Sequence, residues 1–392
     1  MKRRPTANRL VGRSTGSSSI AHVIWSLGLG GAERALYQLV RAQRARGLAV
    51  DVVVATTAGL YGERLREEGA CVAELRQKSG IDITGARRAA RIFAGYDIIH
   101  FHSPEPLLIR EAAGLDQRKL FYTHRAGLFS YPLKRRLKYL AMGRYLRKTF
   151  STSANTKQGA RAASRLFHIP IDSVPILYNG IDFSLLAPSR PREEVLTEIG
   201  FPDRAVWIGS SGNLRPWKRM ERLLHALPEM PGNVRCMIIG DGPERPALER
   251  LGGELGITDR VAFVGSTGRV GDYLQALDVF VLPSGPEESF GNAAVEAMGV
   301  GLPTVVFADG GGLTEHVEDR ETGFVANDQG DLVHKLSELV RDQGLRTRLG
   351  MAASASVRAK YSIDAMVDRY DDLYAGRFEA LAGKSRPIAM AR

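Results

Sequence analysis

The segment Val281–Pro303, which reads VLPSGPEESFGNAAVEAMGVGLP, decides the fold class of this chain. It overlaps a short apolar run, Val279–Leu282, which predicts a buried strand, and the proline- and glycine-containing residues 283–286 end that strand. From residue 292 onward the apolar side chains recur at helical spacing until a second glycine-rich stretch. A strand therefore runs into a helix through a short corner. In open α/β sheets, ligands bind at such corners.

The same corner carries carboxylates. Glu287 and Glu288 follow the strand, and Glu296 lies eight residues beyond Glu288. A helix N-terminus favours phosphate through its unsatisfied N–H groups and its dipole, so glutamates beside it need a hydroxyl-bearing ligand. A carboxylate accepts two vicinal hydroxyls, one glutamate serving a transferred sugar and the other a ribose. The alternative is that both are solvated glutamates flanking a helix.

This segment resembles the EX7E motif of retaining glycosyltransferases of family four, which have the GT-B fold. The residues that match the motif are Glu288, Phe290, Gly291, Glu296, Ala297, Met298, Gly301 and Pro303. The resemblance implies an α/β protein with two facing Rossmann-like domains and a C-terminal helix that crosses back to the first. It also implies a catalytic Glu288, and donor binding by Phe290, Gly291, Asn292 and Glu296.

Length and composition fit this expectation. A chain of 392 residues predicts two domains, and 44% apolar with 25% charged residues is typical of a soluble globular protein. Cys71 and Cys236 imply no disulfide framework, so we expect a cytoplasmic protein. No apolar stretch approaches the roughly 20 residues of a membrane span, and the basic start lacks a secretory signal. The predicted parts are a disordered tail at 1–19, an acceptor domain at 20–185, a linker at 186–204, a nucleotide-sugar domain at 205–360, a returning helix at 361–381 and a tail at 382–392.

The net charge of +11 is unevenly distributed. Residues 1–185 contain 30 Lys and Arg against 13 Asp and Glu, whereas the remainder has an excess of six acidic residues. A basic first half favours an anionic surface or acceptor. Nucleic acid is another polyanion, but the sequence contains no zinc spacing, basic zipper or interleaved aromatic and basic motif, so we expect no nucleic-acid partner.

A glycine-rich turn opens the first domain. Strand candidate 20–25 is followed by Gly28, Gly30 and Gly31, and a helix then begins at Ala32-Glu33-Arg34. Such loops let the backbone approach a ligand closely, although many are only tight turns. The string GGAER resembles the first glycine loop of the same family, which implies that Gly30 and Gly31 border the donor phosphate.

Three histidines end or follow predicted strands in the first half. The pattern from Asp97 to Pro104 and the Thr-His of residues 123–124 resemble family motifs. His100 is expected to be a satisfied core histidine. The resemblance places His102 on the acceptor side and makes His124 a catalytic residue. A histidine near its usual pKa could orient or deprotonate a hydroxyl, and a structural strand-end histidine is the alternative.

The segment 131–148 contains seven basic residues. Leu133, Leu137 and Leu140 fall on one helical face. In one interpretation these leucines pack inward beneath a basic surface. In the other, the helix lies on an anionic membrane, which would suit a lipid-linked acceptor and a peripheral location on the cytoplasmic face.

The loop after the first strand of the second half departs from the family pattern, G-R-L-x-x-x-K-G. Lys218 matches the lysine, Asn213 replaces the arginine, and Arg219 replaces the final glycine. The family's arginine and lysine bind the donor diphosphate, so Lys218 is expected to be catalytic, Asn213 to lie at the donor, and Arg215 to supply the missing guanidinium. A solvated basic loop is the alternative. Further on, Gly311 and Gly312 resemble a phosphate-side glycine loop.

The expected function is retaining, metal-independent transfer of a sugar from a UDP- or GDP-sugar to a glycan or lipid-linked acceptor in envelope polysaccharide or glycolipid synthesis. No Asp-x-Asp pair occurs, so no metal is expected and no cofactor is needed. Four alternatives remain at this point: a natural-product glycosyltransferase, a non-catalytic nucleotide-sugar binder, a nucleotide-sugar 2-epimerase, and a polyanion-binding protein.

Overall fold

The structure, a computed structural model, describes residues 18–28, 30–77, 82–127, 133–201 and 205–377. The described residues form two compact units. The first comprises the described residues up to Ala126, then 133–180 and 363–377, and the second comprises 181–362 with Gly127. Several of the predicted parts lie wholly or partly outside the described residues. These are residues 1–17 and 382–392 of the predicted tails, residues 131–132 of the basic segment, residues 202–204 of the linker and residues 378–381 of the returning helix.

A parallel six-stranded sheet forms the centre of the first unit, in the order β3-β2-β1-β4-β5-β6. Its strands are β1 (Ser19–Ile24), β2 (Ala49–Val54), β3 (Val72–Glu74), β4 (Ile98–Phe101), β5 (Leu120–His124) and β6 (Ser151–Ala154). This is the Rossmann order, in which the direction of strand addition reverses between β1 and β4. Ser19, predicted to belong to the tail, instead begins β1 and pairs with Ala49.

Helices cover both faces of this sheet. They are α1 (Gly31–Ala45), α2 (Gly59–Glu67), α3 (Ile83–Phe93), α4 (Pro106–Ala112), α5 (Leu133–Thr149), α6 (Lys157–Phe167) and α14 (Ile363–Tyr374). Alternate residues of β2 show which helices cover which face of the sheet. Val52 and Val54 pack in the cluster that contains α1, α2 and α14, whereas Val53 packs with α3 to α6. Burial on both faces explains the continuous apolar runs of these strands.

The second unit repeats the order. Its strands are β7 (Val206–Ser211), β8 (Val234–Ile239), β9 (Val261–Gly265), β10 (Val279–Leu282), β11 (Thr304–Phe307) and β12 (Gly323–Ala326). They form a parallel sheet in the order β12-β11-β10-β7-β8-β9, so the reversal lies between β7 and β10. Two parallel sheets of Rossmann order confirm the predicted α/β fold class.

The helices of the second unit are α7 (Arg192–Glu198), α8 (Glu221–Ala226), α9 (Arg245–Glu254), α10 (Val270–Gln275), α11 (Asn292–Gly299), α12 (Gln329–Arg341) and α13 (Gln343–Lys360). Helix α7 lies within the segment predicted to be a linker. Asp272 of α10 accepts hydrogen bonds from Ser189 and Arg190, which attaches the chain just before α7 to this unit. Asp328 and Asp342 cap α12 and α13 by accepting from backbone N–H groups.

Helix α5 has a different buried face from the one that its leucines suggested. Tyr139, Met142 and Leu146 are buried, whereas Leu137 is 57% exposed and Leu140 is 46% exposed. The inward-packing interpretation is therefore wrong for Leu137 and Leu140, because the aromatic, methionine and later leucine positions supply the buried stripe instead.

Candidate functional site

The site of interest in the second unit lies where its strand order reverses. Strands β7 and β10 are neighbours, with Phe280 in register with Gly209, and both run in the same direction. Their carboxyl ends therefore open into adjacent loops, 212–219 after β7 and 283–291 after β10. In open α/β sheets the ligand crevice is found at this switch point. The sequence placed the EX7E-like corner in the second of these loops.

Lys218 and Glu288 join the two loops. The Nζ atom of Lys218 donates to Oε2 of Glu288 at 2.6 Å, and each side chain is only 12% exposed. Ser284 Oγ donates to the same carboxylate oxygen at 3.0 Å. The backbone N–H of Gly285 also donates to the carbonyl of Trp217 at 2.9 Å. An ion pair and a backbone bond thus hold the predicted cation and the predicted carboxylate together.

A third loop completes this group. Gly311 and Gly312 lie in a short 3-10 helix, Gly311–Glu315, and the N–H of Gly312 donates to the carbonyl of Glu288 at 3.1 Å. Asp309, just before it, accepts from Arg219 and from Arg222 of α8. These guanidinium groups hold the pKa of Asp309 below its usual range, so it is ionised at neutral pH.

A buried histidine hydrogen-bonds to the backbone just before the N-terminus of α11. Gly291 caps this helix in the left-handed conformation, with φ 70°. The Nε2 of His316 donates to the carbonyl of Phe290 at 2.7 Å, and its Nδ1 is bonded to the hydroxyl of Tyr361 at 2.7 Å. Burial lowers the pKa of His316 to about 3, so it is neutral. Asn292 is the first residue of α11.

The remaining predicted donor residues of this unit differ in their exposure to solvent. Asn213 is exposed on the loop after β7. The guanidinium carbon of Arg215, also exposed, lies 6.0 Å from the centre of the Trp217 ring. Glu296 is 3% exposed within α11. The structure therefore brings Lys218 and Glu288 into contact, and the backbone carbonyl of Arg215 accepts a hydrogen bond from the N–H of Lys218 at 2.9 Å.

The first unit has its own switch point, between β1 and β4. Gly30 caps α1 there with an extended backbone, and Gly31 is the first residue of the helix. His22 and His100 face each other in register on these strands, and His102 follows β4 directly. All three imidazoles are buried.

These histidines form part of a connected hydrogen-bond chain. The Nε of Arg125 donates to Nδ1 of His102 at 3.2 Å, which makes Nε2 of His102 the donor to Nδ1 of His22 at 2.8 Å. The remaining Nε2–H of His22 then donates to Oε1 of Gln43 at 2.8 Å. Burial and the Arg125 charge lower the pKa of His22 to about 4 and that of His102 well below its usual value.

His100 completes the cluster by bonding to the Tyr374 hydroxyl at 2.8 Å and to Thr123 Oγ1 at 2.6 Å. It is the satisfied core histidine that the sequence predicted. The ligand atoms of His22, His100 and His102 lie within 4.8 Å of one another, a spacing that a metal could use. However, each ring nitrogen already has a protein partner, and the Arg125 guanidinium adjoins the group. The donor set therefore fits a hydrogen-bond network rather than a metal centre.

His124 is 4% exposed at the end of β5. Its ring packs edge-on against Phe167, and its Nδ1 lies 3.2 Å from the Tyr122 hydroxyl. Burial lowers its pKa to about 4, which differs from the nearly unperturbed value assumed from the sequence. A base of that strength holds a proton weakly at neutral pH, so this geometry suits orientation of a hydroxyl better than its deprotonation. The catalytic role of His124 stays a prediction.

Sequence reasoning missed several residues of these sites. His316 and Tyr361 carry no motif, and they reach Phe290 only through the tertiary fold. Arg125 directly follows the Thr-His pair, yet its partners Asn179 and Tyr370 are distant in sequence. Only His22 had a usable signal, because it is a histidine inside an apolar strand that leads into the glycine loop.

Comparison with known families agrees with this geometry. The profile for "Glycosyltransferase Family 4" matches residues 29–185, and the profile for "Glycosyl transferases group 1" matches residues 191–355. The chain belongs to these glycosyltransferases, which have the GT-B fold.

Among similar sequences is a D-inositol 3-phosphate glycosyltransferase of Xylanimonas cellulosilytica, 31% identical over 60% of this chain and 57% of the relative. Another is the lipopolysaccharide core biosynthesis glycosyltransferase LpsD of Rhizobium meliloti, 34% identical over 47% of this chain and 54% of the relative. The chain spans about half the length of the curated relatives that it matches.

Solved structures share the fold. Anabaena HepE in complex with UDP superposes with a TM-score of 0.80 at 20% identity, covering 91% of this chain and 99% of HepE. WaaG, a glycosyltransferase involved in lipopolysaccharide biosynthesis, gives a TM-score of 0.70 at 19% identity, covering 91% of this chain and all of WaaG. Among the described residues, no helix combines the length and apolar character that a membrane crossing requires.

Proposed function

We propose that this protein transfers a sugar, with retention of anomeric configuration, from a UDP- or GDP-sugar to the hydroxyl of a glycan or lipid-linked acceptor. The observation that carries the proposal is the contact between Lys218 and Glu288 at the switch point of the second sheet. It unites a cation suited to a diphosphate with a carboxylate suited to sugar hydroxyls. The UDP held by HepE supports a nucleotide-linked donor.

Each group has a defined task in this reaction. Lys218 stabilises the charge that develops on the departing diphosphate, and its pairing with Glu288 keeps the carboxylate from repelling that anion. The backbone N–H groups at the start of α11 add partial positive charge. Glu288 accepts hydrogen bonds from the donor sugar, and Glu296 is assigned to the ribose.

Retention follows a front-face route in this proposal. The bond between the anomeric carbon and the leaving phosphate breaks, the acceptor oxygen bonds to the same face, and the phosphate oxygen takes the acceptor proton. The ion pair with Lys218 supports this route, because a carboxylate neutralised at 2.6 Å is a poor nucleophile. A double-displacement route through Glu288 would need that pair to open.

The diphosphate is neutralised by protein cations rather than by a metal in this proposal. Lys218 and Arg215 on the loop after β7 are assigned to it together with the N–H group of Gly311, whereas the N–H of Gly312 is bonded to the carbonyl of Glu288. Activity is expected to survive an excess of EDTA, which removes divalent ions from protein sites. Complete loss restored by Mg²⁺ or Mn²⁺ would overturn metal independence.

The acceptor is assigned to envelope polysaccharide or glycolipid synthesis on the cytoplasmic face of the membrane. The relatives of lipopolysaccharide core synthesis support this class. Neither Cys71 nor Cys236 forms a disulfide within the part of the chain that the structure describes, which suits a reducing compartment. A natural-product acceptor would be the alternative outcome of an acceptor screen.

Helix α5 supports peripheral membrane contact. Leu137, Leu140 and Arg144 recur at helical spacing and are all exposed, so apolar and cationic side chains share one surface. Sedimentation with vesicles of phosphatidylglycerol, but not with neutral phosphatidylcholine vesicles, is expected. The double variant Leu137→Gln/Leu140→Gln should weaken it, and unchanged sedimentation would exclude this surface.

The experiment for the whole proposal is a donor screen followed by product analysis. Thermal stabilisation by UDP-, GDP- and TDP-sugars identifies the donor. Incubation of that donor with acceptor glycolipid then distinguishes the outcomes: transfer supports the proposal, a changed sugar without acceptor indicates an epimerase, and intact donor indicates a binding protein.

A further inference from the structure

The residue after Lys218 has an unusual backbone. Arg219 adopts φ 48° and ψ 42°, the left-handed region that residues with a Cβ atom enter only at a cost. In the family pattern quoted above, a glycine occupies this position. The chain therefore keeps the backbone conformation of the loop but places a long cationic side chain on it.

That side chain lies across the loop that carries Glu288. A Cβ atom added to Gly285 would lie 2.6 Å from the guanidinium carbon of Arg219, so the guanidinium rests directly against the Gly285 backbone. Its Nη1 donates to Oδ2 of Asp309 at 2.6 Å. Arg219 thus contacts both other loops of the switch point, beside the pair of Lys218 and Glu288.

The described residues use little of the hydrogen-bonding capacity of Arg219. A guanidinium has five N–H donors, and among the described residues Asp309 is the only acceptor of Arg219. The side chain is 28% exposed, so the group is accessible.

Arg222 shows the contrast, because it already has several partners. It bonds to both oxygens of Asp309 and to the Pro283 carbonyl, and its guanidinium carbon lies 4.1 Å from the centre of the Phe307 ring. Arg222 can hold Asp309 without help. The single bond from Arg219 to Asp309 is therefore not needed to fix that carboxylate, and it leaves Arg219 as the cation with donors to spare.

We propose that Arg219 is a diphosphate-binding residue of the donor site and that it joins Arg215 in providing the guanidinium charge that Asn213 cannot provide. The inference rests on the proposed nucleotide-sugar donor. Lys218, Arg219 and Arg222 against Glu288 and Asp309 leave one positive charge in excess, which suits an anion at this point. A planar guanidinium binds two phosphate oxygens at once, which Lys218 alone cannot do.

The test is direct binding of UDP, GDP and inorganic pyrophosphate to the full chain by titration calorimetry. Arg219→Gly removes the guanidinium and also relieves the left-handed strain, so its melting temperature should stay within about 3 °C of wild type. Binding of the same diphosphates should weaken by about 10-fold or more. Arg219→Lys should recover only part of this loss.

Arg320 provides a matched control. It is also left-handed, with φ 65°, and its guanidinium pairs with Glu338 away from the switch point. Arg320→Gly changes the same kind of backbone and ion pair, and it should leave diphosphate binding unchanged. Equal weakening in Arg219→Gly and Arg320→Gly would mean that the effect is a general loss of stability, which would overturn the inference.

Gly285 gives a second, independent test. A methyl group in Gly285→Ala would displace the Arg219 guanidinium and should weaken pyrophosphate binding, but in the Arg219→Gly background it should have no further effect. Additive losses would contradict the inference, as would wild-type affinity in Arg219→Gly. If the wild-type protein bound none of the three diphosphates, the proposed donor itself would fail, and the role of Arg219 with it.

Discussion

The ammonium of Lys218 and the carboxylate of Glu288 lie 2.6 Å apart, although the two residues belong to loops that follow different strands. Each side chain is 12% exposed, so the pair is largely shielded from solvent. The parallel order of the second sheet produces this contact, because it makes β7 and β10 neighbours and opens both loops at one edge. Sequence alone gave each residue a role; the fold gives them a common location.

Lys218→Ala should mainly lower turnover. The lysine acts on charge that is largest in the transition state, so we expect kcat to fall by roughly 100-fold while KM for the donor changes little. Steady-state kinetics with the donor identified by thermal screening measures both values. Lys218→Arg is the control, and it should retain part of the activity. A large rise in KM at unchanged kcat would contradict the assigned role.

Glu296→Ala should weaken donor binding instead. Loss of a carboxylate that accepts two ribose hydroxyls is expected to raise the donor Kd by about 10-fold or more. Glu296→Gln is the closer control, because it keeps the volume of this buried side chain. Titration calorimetry with the nucleotide-sugar checks the prediction. Wild-type affinity in both variants would remove Glu296 from the donor site.

Acid should destabilise the protein through its buried histidines. The pKa of His316 is lowered to about 3, and those of His22 and His124 to about 4, whereas an unfolded histidine titrates near 6.5. Below pH 6.5 the unfolded chain therefore binds protons that the folded chain does not, and stability falls. At pH 5 each of these three histidines lowers the free energy of unfolding by about 2 kcal/mol. Glu105, whose pKa is raised to about 7 by burial, acts in the opposite direction.

The measurement is the free energy of unfolding in denaturant at pH 7 and pH 5. His316→Gln cannot titrate, so its stability should fall by about 2 kcal/mol less than that of the wild type between these values. Equal pH dependence in the two proteins would show that His316 is not held neutral in the folded state.

Gly291→Ala should destabilise the start of α11. The residue has φ 70°, and an added Cβ would lie 2.1 Å from a Leu313 methyl carbon. We expect a loss of about 1 to 3 kcal/mol in unfolding free energy, together with weaker donor binding. Gly299→Ala, which would crowd Phe183 at the other end of the helix, separates packing loss from site distortion. A Gly291→Ala protein with normal stability and donor affinity would contradict the requirement for glycine at this position.

Within the second unit, some elements could be predicted from the sequence and others could not. The corner after β10 was recognisable because a strand, a glycine and proline turn and a helix follow each other within a few residues. The hydrogen bonds that link Phe290, His316 and Tyr361 could not be predicted, because these residues are brought together only by packing. Helix α7 was hidden by the prolines on either side of it.

In the first unit, individual histidines could be singled out, but their hydrogen-bond chain could not. The register that sets His22 opposite His100 depends on strand pairing, and Arg125 acquires its partners from α14 and from the end of the segment 133–180. Local spacing also misplaced the buried side of α5, because leucines and basic residues alternate there on several faces.

The most direct test of the Lys218 and Glu288 site is the rate and stereochemistry of sugar transfer by wild type and Glu288→Gln. Nuclear magnetic resonance of the product gives the anomeric configuration, and initial rates give the loss of transferase activity in the variant. The account predicts retained configuration in the wild type and a rate about 100-fold lower in a folded Glu288→Gln protein. Inverted product, or transfer by Glu288→Gln at the wild-type rate, would contradict it.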